Sequence, residues 1–260
     1  MKVTFFSCLY NCDKFIKSFL NNFNNLTNFK NHKLILTNIT DSNLKITNII
    51  INNFVENNNN VRIINLNKNN DPGLYECWNN MINLADTELV CNINPDDILN
   101  KNFLHLINFF NENIDLICCP LKIINKFDHM IGIWHKYKYI IKNNKIIKAK
   151  TKYFNLIDMF RITNIENLNK KESYSPLNLP GCSPIWKKKL FLKYGGFNQK
   201  DFKEIADFEL WCRYLKNNAI MFCYDKELVA FRYSKKSLSN RNNNLNIFYK
   251  IWLLYHPLNY

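Results

Sequence analysis

Along the first hundred residues the apolar positions switch repeatedly between two periods. "VTFFSCLY" is a continuous apolar run of strand length, after which Phe15, Ile16, Phe19, Leu20 and Phe23 recur at helical spacing. "HKLILTNI" predicts a second strand, "NLKITNIIINNFV" a second helix and "VRIINLN" a third strand. Leu74, Tyr75, Trp78, Met81, Ile82 and Ala85 then form another helical stripe, and "ELVCNIN" a fourth strand. Strands alternating with helices predict parallel pairing through right-handed crossovers, hence an α/β fold with a mostly parallel central sheet covered on both faces. The Asn-rich pieces "ENNNN" and "NKNND" fall between these elements and read as solvated loops.

Beyond residue 100 the alternation loosens. A helix over Phe103 to Phe110 and a strand "IDLICCPLKII" lead into "IGIWHKYKYIIKNNKIIKAK", a β-hairpin turning at Asn143 and Asn144. Residues 150–180 keep no clean period and predict a mobile or irregular segment. "KKKLFLKYGGF" predicts a short helix stopped by Gly195 and Gly196, and "DFKEIADFELWCRYLKNN" a longer one ending at Asn217 and Asn218. "AIMFCYDKELVAFRY" supplies late strands, and "IFYKIWLLYH" a docked final helix, with contact to a membrane surface as the alternative.

Composition narrows the function classes. With 260 residues, 47% hydrophobic and 22% charged, the chain is expected to fold as one domain around a large core. Its nine cysteines are odd in number and scattered, with no C-x-x-C and no Cys/His ligand spacing. That argues for reduced thiols and a cytoplasmic protein, against disulfides and structural zinc. No apolar stretch approaches transmembrane length, so the expectation is a soluble or peripherally membrane-associated chain. The net charge of +14 favours an anionic partner, but its lysines are dispersed apart from Lys187 to Lys189. A nucleotide diphosphate or an anionic membrane surface satisfies that charge as well as RNA, and the nucleic-acid reading rests on charge alone.

The first candidate chemistry is "CNINPDDILN", Cys91 to Asn100, where an apolar run stops at a proline and two adjacent carboxylates. Pro95 ends the strand, and ligands of open parallel sheets bind beyond the carboxyl ends of strands. Extended geometry would put Asn94 and Asp96 on one side and Asp97 on the other. Mg²⁺ and similar hard cations take one or two protein carboxylates and complete their shell with substrate phosphates and water. Taken in isolation, Asn, Pro and Asp are also ordinary turn formers.

With its neighbouring segments, the sequence resembles the family 2 inverting glycosyltransferases of the GT-A fold. "CLYN" is similar to the Tyr-Asn pair ending the family's first strand, and "TNITDSN" is a weakened counterpart of its polar nucleotide-binding segment. "DPGLYECWNNMINLADTELVCNINPDD" resembles the family's D-x-G-I-Y-D-A-M-N segment and metal motif. Later, "LPGCSPIWKKKLFLKYGGFNQ" and "EIADFELWCRYL" resemble the segment before a G-x-F-D turn and the D-[YF]-x-L-W-x-R helix. The resemblance covers most of residues 3–98 and 180–240 and leaves 115–180 uncovered.

That resemblance implies donor contacts at Tyr10, Asn11, Asn38, Asp41, Asp71, Asn79 and Asn94, a divalent metal (Mn²⁺ or Mg²⁺) at Asp96 and Asp97, and Asp207 as catalytic base. Asn94 stands where the family's first acid usually is. The implied donor is a UDP-, GDP- or dTDP-sugar, and the acceptor a glycan, a lipid-linked molecule or a protein. Residues 1–98 would hold the nucleotide sugar and 99–260 the acceptor, with 150–180 a flexible flap. Asp207 also stands out without the resemblance. Glu204 and Asp207 are spaced i,i+3 on the expected helix, and an acid beside the stripe Phe208, Trp211, Cys212, Leu215 would be partly desolvated. Glu204 and Glu209 are expected on a solvated face. The five histidines show no ligand spacing, and "GCS" at Gly181 to Ser183 lacks a nucleophile elbow, so Cys182 and Ser183 are read as pocket lining. The alternative of another class is a non-catalytic nucleotide- or glycan-binding module derived from such an enzyme.

Overall fold

The computed structural model describes residues 1–40, 45–234 and 244–256. Its first third is built as the alternation predicts: β1 (Val3–Leu9), α1 (Asp13–Asn24), β2 (Lys33–Thr40), α2 (Lys45–Glu56), β3 (Val61–Asn67), α3 (Leu74–Leu84) and β4 (Leu89–Asn92). β1 pairs in parallel with both β2 and β4, and β2 in parallel with β3. Successive side chains of these strands enter opposite layers. Phe6, Cys8 and Val90 join one apolar cluster, while Val3, Phe5, Leu9, Leu89 and Cys91 join the other. Burial on both faces explains why β1, β2 and β4 read as continuous apolar runs.

The second half is made of shorter pieces. β5 (Ile98–Leu99), a 3₁₀ helix over Phe103–Phe109, β6 (Leu116–Cys118), β7 (Leu121–Ile124) and β8 (Met130–Trp134) follow in order. The single strand expected over "IDLICCPLKII" is thus two strands that belong to different sheets, broken at Cys119 and Pro120, where proline cannot continue a ladder. The Phe103 segment is 3₁₀ rather than α-helical. β9 (Lys138–Lys142) and β10 (Lys145–Ala149) form the expected hairpin, and Asn143 and Asn144 both take positive φ, as its two-residue turn requires.

Residues 150–180 carry β11 (Tyr153–Phe154), β12 (Phe160–Ile162), β13 (Tyr174–Pro176) and short 3₁₀ turns. They are irregular, yet pinned by buried Phe154, Met159, Phe160 and Leu179. β14 (Ile185–Lys187), α4 (Lys188–Tyr194), α5 (Gln199–Phe202), α6 (Ala206–Lys216), β15 (Met221–Cys223), β16 (Val229–Arg232) and α7 (Asn244–Tyr255) complete the described chain. The long helix expected over residues 201–218 is divided. Lys203 takes φ +46° between α5 and α6, so Glu204 lies in a 3₁₀ turn and does not share an α-helical face with Asp207.

The main sheet has eight strands in the order β11-β15-β6-β14-β4-β1-β2-β3, and a second sheet runs β5-β16-β7-β8. β14 is antiparallel to both β4 and β6, so β6 runs parallel to β4 and so does β15. The carboxyl ends of β1, β2, β3, β4, β6 and β15 therefore open on one edge. Among the described residues no helix is long and apolar enough to cross a membrane. α7 buries Phe248, Ile251 and Trp252 as a docked helix should, while Leu245 and Leu253 stay exposed.

Candidate active site

From β1 the chain runs outward to β2 and β3 on one side, and it returns to β1's other side at β4, so the strand order reverses between β1 and β4. In open α/β sheets that reversal leaves a crevice beyond the carboxyl ends. Tyr10, 44% exposed, and Asn11, with φ +51°, follow β1 there, and Asn94 to Asp97 follow β4. The two pieces are neighbours: burial, Asp13 and Asp96 together push the Cys12 thiol up to about 12.

Asn94 to Asp97 is a turn, not a strand continuation. The Asp97 N–H donates to the Asn94 carbonyl at 3.1 Å, and the Asn94 amide donates to Asp97 Oδ2 at 3.2 Å. This corrects the expected pattern in which Asn94 and Asp97 point apart. Pro95 is suited to the second position of such a turn, and β5 pairs with β16 immediately afterwards, so the chain must bend from one sheet into the other. Arg232, at the end of β16, organises the corner. Its backbone N–H donates to Asp97 Oδ1 at 3.2 Å, and its guanidinium donates to the carbonyls of Asp96 at 3.1 Å and Asn125 at 2.8 Å. It also pairs with Asp128 and lies 5.0 Å from the Phe15 ring centre. Nothing local in the sequence marks Arg232 as a partner of residues 135 positions away.

The two aspartates are consequently unequal. Asp97 is 2% exposed with both oxygens engaged, whereas no side chain among the described residues donates to the half-buried Asp96 carboxylate. Burial and the adjacent Asp96 push Asp97 up to about 7, against the opposing effects of the Arg232 N–H, the Asn94 amide and the Cys182 thiol. Burial also raises Asp96, partly offset by Arg232. Two crowded acids lifted in this way are suited to a hard cation that brings most of its own shell. Among the described residues no three His, Cys, Asp or Glu side chains gather to hold a metal alone. The donor set fits a metal completed by substrate phosphates, with Asp96 rather than Asp97 as the open ligand.

Asp207 sits in the first turn of α6. Asn178 donates to its Oδ2 at 2.7 Å, and the Tyr75 hydroxyl lies 3.1 Å from its Oδ1 and 3.0 Å from the Glu204 carbonyl. Burial raises Asp207, and Asn178 and Tyr75 act against that rise by favouring the anion. Tyr75 comes from α3 and Asn178 from the irregular segment, so three distant stretches meet on one carboxylate. The two acidic sites share a neighbourhood. Burial raises the Cys182 thiol, and Asp97, Lys136, Asp207 and Asp96 are all close enough to act on it.

Other expected donor contacts lie elsewhere in the hydrogen-bond network. Asn79 clamps Phe197, donating to its carbonyl at 2.9 Å and accepting from its N–H at 2.8 Å, which joins α3 to the "GGF" turn. Asn38 is buried on β2, and its amide donates to Asn48 at 3.0 Å and Asn65 at 3.1 Å. Asp71 accepts from the Gly73 N–H at 2.8 Å and shapes the approach to α3, where Gly73 takes φ +94°. Asp41 lies outside the described residues. Glu209 is not solvated: it is 1% exposed and forms a two-pronged pair with Arg213 at 2.9 and 2.8 Å. Arg213 in turn donates to the Gly196 carbonyl at 2.7 Å, so this part of the "LWCR" motif braces the glycine turn. All nine cysteines are free.

A mostly parallel sheet whose strand reversal meets an aspartate-bearing turn, with a further carboxylate on a helix start beside it, defines a GT-A transferase fold. The chain belongs to Glycosyl transferase family 2, whose sequence profile matches residues 4–173. No curated protein matches it in sequence. Among solved structures it is similar to S. aureus TarS 1-349 in complex with UDP, at a TM-score of 0.65 and 16% identity over 98% of this chain and 64% of that one. The same protein in complex with UDP-GlcNAc gives 0.66 and 17%, over 97% and 66%. The mannosyltransferase PcManGT from Pyrobaculum calidifontis, in complex with GDP-Man and Mn²⁺, gives 0.58 and 11%, over 90% and 58%. At these identities the likeness is one of fold, and this chain spans less than two thirds of the first of those structures.

Proposed function

We propose that the protein transfers a hexosyl group from a nucleotide sugar to an acceptor hydroxyl with inversion at the anomeric carbon. The observation that carries this reading is Asp207, a half-buried carboxylate held in place by two neutral donors, beside a turn that leaves Asp96 open. Asp207 takes the acceptor proton as the hydroxyl oxygen bonds to the anomeric carbon. The bond from that carbon to the diphosphate oxygen breaks on the opposite face, so no covalent enzyme intermediate forms. Burial without a cationic partner among the described residues keeps Asp207 basic, and Asn178 and Tyr75 fix its orientation. A divalent cation at Asp96, Mn²⁺ or Mg²⁺, would supply charge neutralisation for the departing diphosphate. Tyr10 and Asn11 at the end of β1 are assigned to the nucleoside, which in this reading is uridine, guanosine or thymidine.

The segment 150–180 is proposed to order over the bound donor. Asn178 lies at its end and reaches both Asp207 and the Gly181 N–H, so its ordering would also set the base. Hydrogen exchange with and without nucleoside diphosphate tests this: protection across 150–180 should rise on binding, and equal protection in both states removes the idea.

The enzyme reading is tested by release of nucleoside diphosphate from candidate sugar donors with an acceptor present. Donor-dependent release that Asp207→Asn abolishes supports it. Tight nucleotide binding with no turnover for any donor favours a non-catalytic binding module instead.

A further inference from the structure

Lys136, in the loop between β8 and β9, is 3% exposed, and its ammonium has no hydrogen-bond partner among the described residues. It lies 3.9 Å from the Trp134 ring centre, among the thiols of Cys118, Cys119, Cys182 and Cys223. Burial lowers its pKa, as expected for a cation without a counter-charge. A buried charge in that condition is expensive unless something pairs with it. Lys136 also lines a groove of about 320 Å³ with His135, Lys150, Lys152, Tyr224 and Asp225. Lys150 and Lys152 are exposed and have no ion-pair partner among the described residues, so three lysines and one aspartate line the groove.

The groove's place in the sheet says what it serves. Tyr224 and Asp225 directly follow β15, and Pro120, which also lines the groove, follows β6. The groove therefore opens on the same carboxyl edge as the Asp96 turn, but with β14 and β6 between it and β4. At the usual strand spacing it lies about 10 Å or more from the β1/β4 crevice. The two are linked through the Gly181 turn: a Cβ on Gly181, whose φ is +58°, would come within 2.9 Å of Lys136 Nζ. Lysine ammoniums are compact point charges, and no arginine fork is present to grip a planar carboxylate. Converging lysines without an arginine match a tetrahedral, multiply charged oxyanion.

We infer that this groove binds a phosphate group carried by the acceptor, with Lys136 as its buried anchor and Lys150 and Lys152 as its rim. The inference rests on the transferase reading above and adds the acceptor's chemical class. It places the acceptor hydroxyl at Asp207 and the acceptor's phosphate in this groove.

The test measures binding of inorganic phosphate to the full chain, and separately of UDP, GDP and dTDP with Mn²⁺, by titration calorimetry. Phosphate should bind the wild type and remain bound when the preferred nucleoside diphosphate saturates its own site. Lys136→Met should weaken phosphate about ten- to hundredfold, the loss expected for one charge-assisted hydrogen bond. Lys150→Ser with Lys152→Ser should weaken it too, and nucleoside diphosphate affinity should stay unchanged throughout. Lys136→Met removes an unpaired buried charge and should fold at least as stably as the wild type; if it does not, the exposed pair decides. Absence of phosphate binding, unchanged binding in the Lys150/Lys152 variant, or displacement by nucleoside diphosphate would each overturn the inference, the last by showing that the site belongs to the donor. Failure of UDP, GDP and dTDP all to bind while phosphate does would instead overturn the donor assignment and leave the groove standing.

Discussion

The turn at Asn94 to Asp97 and the helix start at Asp207 both hold carboxylates that burial has raised, yet they are built for different work. At the turn the acids are consecutive and each disfavours the other's charge. The support comes from a backbone N–H, an amide and an arginine that mostly binds carbonyls, so Asp96 is left open. At the helix start a single acid is held by two neutral donors with no neighbouring acid in the same turn engaged on it. The first arrangement invites a cation, and the second a proton. Raised pKa by itself does not separate these roles; the identity of the partners does.

The largest expected effect breaks the second site alone. Asp207→Asn keeps the size and loses the proton acceptor, so transfer should fall by about 10²- to 10⁴-fold. Melting temperature and nucleoside diphosphate affinity should barely move. Near-normal transfer would put the base elsewhere.

Two residues along the same helix, Glu209 offers the contrasting case of a buried acid with a cationic partner. Glu209→Ala leaves Arg213 uncompensated and should destabilise the fold by about 3 kcal/mol in denaturant titrations, without a selective loss of nucleotide binding. A change near zero would mean that the Glu209–Arg213 pair and the Tyr255 hydroxyl, 2.6 Å from Glu209, hold nothing together.

The first site is broken by Asp96→Ala or by chelation. Either should remove the strengthening of nucleoside diphosphate binding by Mn²⁺ or Mg²⁺, and Asp97→Asn should do so less, because Asp97 is already engaged with Arg232 and Asn94. Calorimetric affinity that is equal with and without chelator contradicts the metal assignment.

Tyr75→Phe sharpens the comparison by deleting one neutral donor from Asp207. It should lower transfer about tenfold, in line with one hydrogen bond to a charged group, while donor affinity holds.

The smallest effect concerns how the irregular segment is anchored. His256, at the end of α7, is fully buried, with its ring centre 4.8 Å from Trp252 and 4.4 Å from Tyr174. Burial pushes it down to about 4 from an ordinary 6.5. A depressed folded pKa means that the folded state binds fewer protons. Stability is therefore fully present above about pH 6.5 and is lost as pH falls towards 4. Relative to His256→Phe, the wild type should lose about 1 kcal/mol between pH 7 and 5.5 in thermal melts.

The elements built from local, repeated signals are legible without the fold. β1, β2 and β4 are buried on both faces, so their apolar runs stand out without context, and α1 and α3 carry stripes at helical spacing. Asn143 and Asn144 mark a turn because few residues take positive φ. Asp207 stands in "ADFELW" where an acid beside an aromatic stripe is conspicuous. What those acids meet is set by long-range packing. Arg232 on the Asp turn, Tyr75 and Asn178 on Asp207, and Lys136 beside the Gly181 turn are pairings across 29 or more residues, and no local spacing rule announces them. Asn79 and Asn38 make the same point, since their bonds go to Phe197 and to Asn48 and Asn65. A buried amide must satisfy its donors and acceptors wherever the fold brings a partner, and that partner is chosen by packing rather than by sequence neighbours. Glu209 is buried rather than solvated for the same reason, because its burial depends on Arg213 and on a helix, α7, that arrives only at the end of the described chain.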